Sequence, residues 1–489
     1  MDFDIRMLKF FCFLLTFSCF LKMTAQNNLS FLNDNYSGIN SAAFSPTQPY
    51  LSSNPWDVNL FSADLDLQND YAYISQQSLL GITKTPIKST NPKQGITGAN
   101  TPNVFDFYNK DKANFLFASD ILGPSFAMTA NIREKKYVFG LFSRLRTQAA
   151  FLHFDNYLRY GNEMVFQPEE YKMKPFSTNL MNWNEIGLNA STTIFPYSEK
   201  QWILGFNLKY EMGLDAANII SHQSIDLTSN EAAPDENPDY RNIYASNYNI
   251  NASYITNYNF ETKTYDYRQN GSGLGLDIGI AMLDKEPRED EYNYKLAFNI
   301  VDLGFVNFKQ GINHVFNNGN KIWIQNNPNL DDQEFESPAQ YLRLLSKEAY
   351  GDENRSFAGY GFKIGLPTSI NINYSQRIKE HHFVNVNWIQ RVPVFENSLK
   401  RNNIINAGYS IQKEAFGYGV STTLSEYRNL QFGGYIRLGP LILGSENAFP
   451  LLFKHDQLHA ANIYLALKFY PFWDSAFKRH RREKCDCEK

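Results

Sequence analysis

Apolar residues occupy every second position along many segments of this chain. From Trp202 to Leu214, one alternate set is apolar, while the set between them includes Lys209 and Glu211. Successive side chains of a β-strand point to opposite faces, so this segment predicts a strand with one apolar and one polar face. Thirteen residues tilted by about 40° rise about 33 Å, which exceeds the apolar band of about 25 Å around an outer-membrane barrel.

The same period of two recurs along most of the chain and predicts about fourteen strands. They lie near residues 58–74, 124–132, 137–146, 184–194, 202–214, 272–282, 293–308, 356–365, 369–378, 383–391, 404–411, 416–425, 430–438 and 460–470. An even number of strands places both chain ends on one side of the membrane.

The predicted connections alternate between short and long through most of the chain. Short turns are predicted at residues 133–136, 196–201, 284–292, 366–368 and 426–429. Long polar connections are predicted at residues 76–122, 147–182, 216–270, 309–355 and 439–459, and Ser337-Pro338 begins a short helix through about residue 348. Bacterial outer-membrane barrels have short periplasmic turns and long outer loops.

These patterns favour an all-β fold, a transmembrane antiparallel β-barrel of about 14 strands with short periplasmic turns and long outer loops. The apolar faces would then contact lipid, and the polar faces would line the lumen. A secreted soluble β protein is the alternative, because its strands can also alternate. Its apolar faces would pack against one another in a dry core.

The amino terminus resembles an export signal. Arg6 and Lys9 precede the apolar run Phe10–Leu21, which is too short to span a bilayer as a helix, and small Ala25 precedes Gln26. We therefore expect a cleaved signal peptide at 1–25, an N-terminal periplasmic or plug segment at 26–56, an outer-membrane barrel at 57–472 and a basic periplasmic tail at 473–489. The predicted location is the outer membrane of a Gram-negative cell.

Composition narrows the functional classes. The 489 residues carry 46 Lys and Arg against 50 Asp and Glu, a net charge of −4, which is unlike a basic nucleic-acid binder. Aromatic residues make up 15% of the chain although the mean hydropathy is −0.43, and helical membrane proteins lack that combination. Only Cys485 and Cys487 follow the signal, so no disulfide framework is expected.

Motifs for catalysis are missing from the sequence. It contains no His-Glu-x-x-His, no Gly-x-Ser-x-Gly and no phosphate loop, so we predict no enzyme, no catalytic residue, no metal site and no cofactor. The candidate functional residues are charged positions on predicted inward faces. These lumen-lining candidates are Arg144, Arg146, Lys209, Glu211, Asp277 and Asp302. They would either line a solute route or pair with one another across a filled lumen.

Three motifs resemble markers of a Bacteroidota family of outer-membrane β-barrel proteins of unknown function. They are the run FNIVDLGF from Phe298 to Phe305, which contains Asp302-Leu303-Gly304-Phe305, then Leu366-Pro367-Thr368, and the run RLGPLILGSEN from Arg437 to Asn447. The resemblance implies a fourteen-strand barrel similar to FadL-type fatty-acid channels and to PorV-like proteins of type IX secretion. FadL-type relatives use an amino-terminal plug and a hydrophobic ligand path, and PorV-like relatives receive secreted proteins at the cell surface.

Two functional hypotheses follow for a barrel. In the first, the protein binds or passes a small, hydrophobic solute, with outer-membrane lipid around it. In the second, it is an accessory of protein secretion or surface assembly, with an envelope or secretion protein as partner. Neither hypothesis involves nucleic acid.

Overall fold

The structure, a computed structural model, describes residues 29–471 with short gaps. The gaps are residues 53, 92–93, 100, 109–111, 134, 156–169, 196–199, 231–241, 286–290, 326, 328–329, 331–334 and 336. The predicted signal peptide at 1–25 and the predicted basic tail at 473–489, with Cys485 and Cys487, lie outside the described residues.

The described chain is mostly β-strand. In chain order the strands are β1 (Trp56–Asn69), β2 (Ala72–Gln77), β3 (Lys88–Ser89), β4 (Val104–Phe107), β5 (Lys112–Leu122), β6 (Ser125–Ile132), β7 (Lys135–Asp155), β8 (Glu170–Met173), β9 (Ser177–Ile194), β10 (Gln201–Ser221), β11 (Ile225–Asn230), β12 (Asn242–Ser246), β13 (Asn249–Ile255), β14 (Tyr258–Asn259), β15 (Thr264–Tyr265), β16 (Gly271–Asp284), β17 (Tyr294–Asn317), β18 (Ile322–Gln325), β19 (Phe357–Gly365), β20 (Ser369–Lys379), β21 (His382–Arg391), β22 (Ile404–Gln412), β23 (Phe416–Ser425), β24 (Asn429–Leu438), β25 (Leu441–Ser445), β26 (His455–Leu458) and β27 (Ala460–Phe469). The α-helices are Leu29–Leu32, Leu79–Ile82, Pro338–Tyr350 and Ala448–Leu452, and 3₁₀-helices span Gly38–Ser41 and Gln48–Leu51.

Antiparallel pairing closes these strands into one barrel. Strand β1 pairs with the last strand, β27, with Ser62 opposite Ala466, and its other edge pairs with β5 and β6. Within the described residues the barrel strands number fourteen, counting interrupted strands once: β1, β5 with β6, β7, β9, β10, β13 with β16, β17, β19 with β20, β21, β22, β23, β24, β25 and β27. The predicted all-β barrel of about fourteen strands is confirmed.

Two predicted strand assignments were wrong, and their errors cancel in the count. The segments 356–365 and 369–378 form one barrel strand, since β19 and β20 both pair antiparallel with β17. Leu366–Thr368 is therefore a break within a strand rather than a turn, and the Leu366 amide donates to the Gly304 carbonyl at 2.9 Å. Strand β25, in contrast, lies inside the predicted connection 439–459.

Several predicted connections also belong to the wall. Strands β7, β9, β10 and β17 contain 21, 18, 21 and 24 residues, whereas β21, β22, β23 and β24 contain 10, 9, 10 and 10. We call the first group the long-strand side and the second the short-strand side.

The two ends of the barrel are named by their connections. The end with the long connections is the loop end, and the opposite end is the turn end. The tight turn at 426–428 lies at the loop end, contrary to its prediction as a periplasmic turn.

The two faces of each barrel strand differ sharply in exposure. On β10, Phe206 and Leu208 are 47% and 52% exposed, while Asn207, Lys209 and Glu211 at the alternate positions are fully buried. Apolar side chains thus point out of the barrel and polar ones point into it, as in a transmembrane barrel. A soluble β protein would bury the apolar face, so the geometry contradicts that alternative. Among the described residues, no helix has the length and apolar character needed to cross a bilayer.

Residues 29–52 lie inside the barrel, and we call them the inner segment. Phe31 and Phe44 of this segment are buried. Its carbonyl groups accept hydrogen bonds from inward asparagines of β10 and β20, from Asn207 to Ala42 at 2.8 Å and from Asn371 to Phe44 at 3.1 Å.

At the loop end, a second sheet covers part of the long-strand side. Strands β18, β12, β11 and β8 pair in that order. Their apolar residues pack with Phe316 of β17 and with the helix Pro338–Tyr350. Ser337 caps this helix by accepting from the Gln340 amide at 3.3 Å, and Gly351 ends it with φ of 70°, so the predicted helix is present.

Candidate functional site in the barrel interior

Asp302 lies at the centre of a buried ionic cluster. Arg146 binds it through two hydrogen bonds, Nη1 to Oδ1 at 2.9 Å and Nη2 to Oδ2 at 3.0 Å. Lys209 Nζ lies 2.5 Å from Asp302 Oδ1 and 2.7 Å from Asp277 Oδ1. Arg401 Nη2 donates to Asp302 Oδ2 at 2.8 Å. One carboxylate therefore holds three cations from separate parts of the chain.

The backbone at Asp302 explains this position. Its φ is +57°, and the pairing of β16 with β17 shifts register next to it, so the wall bends where the carboxylate points inward. The Asp302 amide donates to Asp277 Oδ1 at 2.7 Å, and its carbonyl accepts from Thr368 Oγ1 at 2.7 Å. The motif at 298–305 thus contacts the motif at 366–368. The Asp302 carboxylate itself binds side-chain cations.

Arg144 extends the cluster along β7. Its Nη1 lies 3.1 Å from Glu185 Oε1, and its Nε donates to Asp120 Oδ1 at 2.9 Å. Glu185 also accepts from Arg146 Nη1 at 3.2 Å. Glu185 and Arg401 belong to the cluster but were not among the candidates predicted from the sequence. Glu185 occupies an inward position of β9, and the alternation of apolar and polar residues could have revealed it. Arg401 lies in a connection that has no such alternation.

Glu211 is the sixth candidate, and it differs from the other five. It is fully buried, and neither carboxylate oxygen has a hydrogen-bond partner in the described structure. A Cβ on Gly275 would lie 2.5 Å from its Oε1, so glycine at 275 provides the space that this carboxylate occupies. The structure therefore pairs five of the six candidates with opposite charges, and a role in a solute route stays a prediction.

A row of side chains, mostly amides, crosses the interior from β17 to β23. Asn299 of β17 donates to Asn373 of β20 at 3.0 Å, and Asn373 donates to Asn387 of β21 at 2.8 Å. Asn387 then donates to Asn406 of β22 at 3.0 Å, and Asn406 donates to Thr423 of β23 at 2.8 Å. We call these five residues the amide row. Each asparagine amide serves as donor and acceptor in turn. At the β23 end of the row, Asn406 Nδ2 and Thr423 Oγ1 also donate to Glu446 Oε2, at 3.1 and 3.0 Å.

The inner segment is fixed by a separate ion pair. Arg437 Nε donates to Asp34 Oδ2 at 3.2 Å, and both side chains are fully buried. Tyr435 adds a hydrogen bond from its hydroxyl to the same oxygen at 2.7 Å. Tyr36 lies beside this pair with its ring 4.7 Å from the Arg437 guanidinium, and burial raises the pKa of Tyr36.

Glu446 holds the inner segment at another point. It accepts from the Ser30 amide and hydroxyl at 2.8 and 2.9 Å. Arg437 and Glu446 both belong to the third sequence motif, so that motif supplies two buried anchors for residues 29–52.

A cavity of about 540 Å³ opens in the wall beside β17 and β19. Phe305, Phe362 and Phe395 contribute rings to its lining. Polar lining comes from Asn313, His314 and Lys363, among others. The cavity therefore combines apolar surface with hydrogen-bonding groups. Within the described residues, no group of three or more His, Cys, Asp or Glu side chains could hold a metal ion.

No curated protein matches the sequence. A FadL homologue from Pseudomonas aeruginosa aligns over 91% of this chain and 97% of its own, with 8% identity and a TM-score of 0.22. The CymD monoaromatic hydrocarbon channel aligns over 86% and 90%, with 8% identity and a TM-score of 0.18.

The ferric yersiniabactin uptake receptor FyuA from Yersinia pestis aligns over 81% of this chain and 49% of its own, with 8% identity and a TM-score of 0.19. TM-scores this low support no conclusion about fold or function, so the fold rests on strand pairing. A family model, in contrast, matches residues 44–446, which is most of the chain. This protein therefore belongs to DUF5723, a family of unknown function.

Proposed function

We propose that this protein is an outer-membrane β-barrel that binds a small amphipathic solute in the wall cavity and passes it towards the barrel interior. The cavity carries this proposal. Its volume of about 540 Å³ falls within the range of about 300–1,000 Å³ that is typical of ligand pockets. Its rings suit an apolar chain or ring system, and the Lys363 ammonium, the Glu396 carboxylate and the nearby amides suit a polar head group.

The orientation of the side chains supports the membrane location. Outward residues of every barrel side include exposed apolar groups, for example Leu208 at 52% and Val420 at 63%. Such surfaces are stable in lipid and unfavourable in water. If the chain is exported and inserted into the outer membrane, the turn end would face the periplasm and the loop end would face the cell exterior.

In the proposed mechanism, the inner segment acts as a plug. It lies within the predicted segment 26–56, and the interior side chains around it are buried. The connection 392–403 runs from the cavity, where Phe395 and Asn397 contribute to the lining, to Arg401 on Asp302. Solute passage would require this connection and the inner segment to shift. The proposal includes no catalysis.

A dansyl-labelled undecanoic acid provides a test. Ala358 lines the cavity and is exposed, so Ala358→Trp should fill the site and abolish saturable probe fluorescence. The matched control Val420→Trp places the same ring on the outer face of β23 and should leave binding intact. Saturable binding that persists in Ala358→Trp, or no saturable binding to the unmodified barrel, would contradict the proposal.

An accessory role in secretion or surface assembly is the second candidate. The observation that favours it is the folded sheet of β8, β11, β12 and β18 at the loop end, which presents a structured surface beyond the wall. Affinity purification from the intact envelope should then recover one constant protein partner. Removal of that sheet should abolish the recovery without affecting probe binding at the cavity.

A further inference from the structure

The barrel wall changes character between β24 and β27. Strand β25 ends at Ser445, opposite Gly434, so the loop-end half of β24 pairs with β23 on one edge and has no barrel strand on the other edge. The helix Ala448–Leu452 lies there instead and contacts both β24 and β27. At this junction the chain forms hydrogen bonds with neighbouring barrel residues: the Glu446 amide donates to Asn462 Oδ1 of β27 at 2.7 Å.

The side chains that this helix presents are apolar. Phe449, Leu452 and Phe453 are 57%, 58% and 62% exposed, and Leu80 of the neighbouring helix Leu79–Ile82 is 52% exposed. The Phe449 ring packs edge-on against Phe432 of β24, with centroids 6.1 Å apart. We call these five residues the wall patch. Through Phe432 the patch is continuous with the outward apolar face of the barrel.

The position of the wall patch along the barrel axis follows from β24, the strand that contains Phe432. Its outward residues Leu430, Phe432, Ile436 and Leu438 are all exposed and apolar, so this face stays apolar up to the tight turn at 426–428. The patch therefore lies beside the apolar face and not above it. A soluble protein rarely exposes a contiguous surface of this kind.

Charged side chains border the patch on the loop-end side. Arg428 and Lys454 are exposed there, with Asp456 as an acidic neighbour. Cationic side chains next to apolar rings suit the boundary of a bilayer, where rings enter the acyl chains and ammonium or guanidinium groups meet lipid phosphates. A water-exposed docking site for a polar partner would not need this combination.

We propose that the wall patch inserts into the acyl-chain region of the outer leaflet and anchors the short-strand side at the membrane surface. Connection 446–459 is then a membrane contact, although it lies at the loop end. The inference rests on the proposed membrane location and adds a specific lipid-contacting element to it.

Nitroxide labels on single cysteines test the inference. The background is the full chain with its native cysteines replaced, as Cys12→Ser, Cys19→Ser, Cys485→Ser and Cys487→Ser. Labels at Phe453→Cys, Leu208→Cys and Tyr341→Cys report on the patch, the barrel face and the exposed loop-end helix. The barrel is reconstituted in vesicles of phosphatidylcholine and phosphatidylglycerol, and collisions with oxygen and with a nickel chelate are measured.

The expected ratio of oxygen to nickel accessibility at residue 453 is close to that at 208 and severalfold above that at 341. A ratio at 453 equal to that at 341, with 208 still in lipid, would overturn the inference and leave the membrane location intact. Water-like ratios at both 453 and 208 would overturn the membrane location as well.

Discussion

The interiors of the long-strand side and the short-strand side use different chemistry. On the long-strand side, Arg146, Lys209 and Asp302 belong to one buried ionic cluster. On the short-strand side, Asn387 and Asn406 belong to the amide row across regular strands, and the buried pair that Arg437 of β24 forms with Asp34 lies beyond the row. Both sides have an apolar exterior, so the difference lies only inside the barrel.

The difference in interior chemistry follows the regularity of strand pairing in the barrel wall. Asp302 lies at a register shift with φ of +57°, where strands no longer repeat and inward side chains converge from several directions. A buried charge there is tolerated because several partners surround it. Strands β20 to β23 pair without interruption across the row, so one residue type at each inward position can bond to the next. Convergent geometry favours ions, and repeating geometry favours amides.

Asp302→Asn should have the largest effect on stability. Asparagine tolerates a positive φ, so the backbone can stay while Arg146, Lys209 and Arg401 lose an anion. Breaking a buried pair costs about 3–5 kcal/mol, and we expect a loss of that order in the free energy of unfolding. Urea titration of the detergent-solubilised barrel measures it. A loss below about 1 kcal/mol would show that the cluster does not depend on this carboxylate.

Asn387→Ala should have a smaller effect, because it interrupts a neutral row. It leaves the Asn373 amide donor and the Asn406 carbonyl acceptor without their partner, and unsatisfied buried groups cost about 1–3 kcal/mol. Val386→Ala on the outward face of the same strand is the matched control and should change the unfolding free energy much less. An effect of Asn387→Ala as large as that of Asp302→Asn would remove the contrast between the two sides.

Gly205→Ala tests the inner segment without altering charge. A Cβ at residue 205 would lie 2.5 Å from the Pro46 carbonyl oxygen. Overpacking costs about 1–3 kcal/mol, and we expect part of it to appear as displacement of the inner segment. Limited proteolysis should then cleave within 29–52 faster than in the unmodified protein. Phe206→Leu, on the outward face of the same strand, should not change the cleavage rate.

Glu426→Gln should have the smallest effect. Glu426 Oε2 lies 2.9 Å from Arg391 Nη2, but both side chains are partly exposed, at 22% and 27%. Such pairs contribute about 0–1 kcal/mol, and their contribution falls with added salt. Equal losses for Glu426→Gln and Asp302→Asn would show that burial does not set the strength of these pairs.

Much of the fold could be predicted from the sequence. Alternation gave most barrel strands, and it assigned Lys209, Glu211 and Asp277 to inward faces, where they lie. It did not distinguish a break within a strand from a turn between strands, so Leu366–Thr368 was assigned wrongly. It also missed β25, because a strand of five residues carries little periodic signal.

The sequence by itself determined which residues form strands and which face of each strand is polar, because a period of two is a local property of the chain. Only the tertiary structure decided that Asp302 contacts Arg401 and Thr368, that Asp34 pairs with Arg437, and that residues 29–52 lie inside the barrel. These contacts join residues far apart in the chain. Their formation depends on strand register and barrel closure, and no local pattern encodes either.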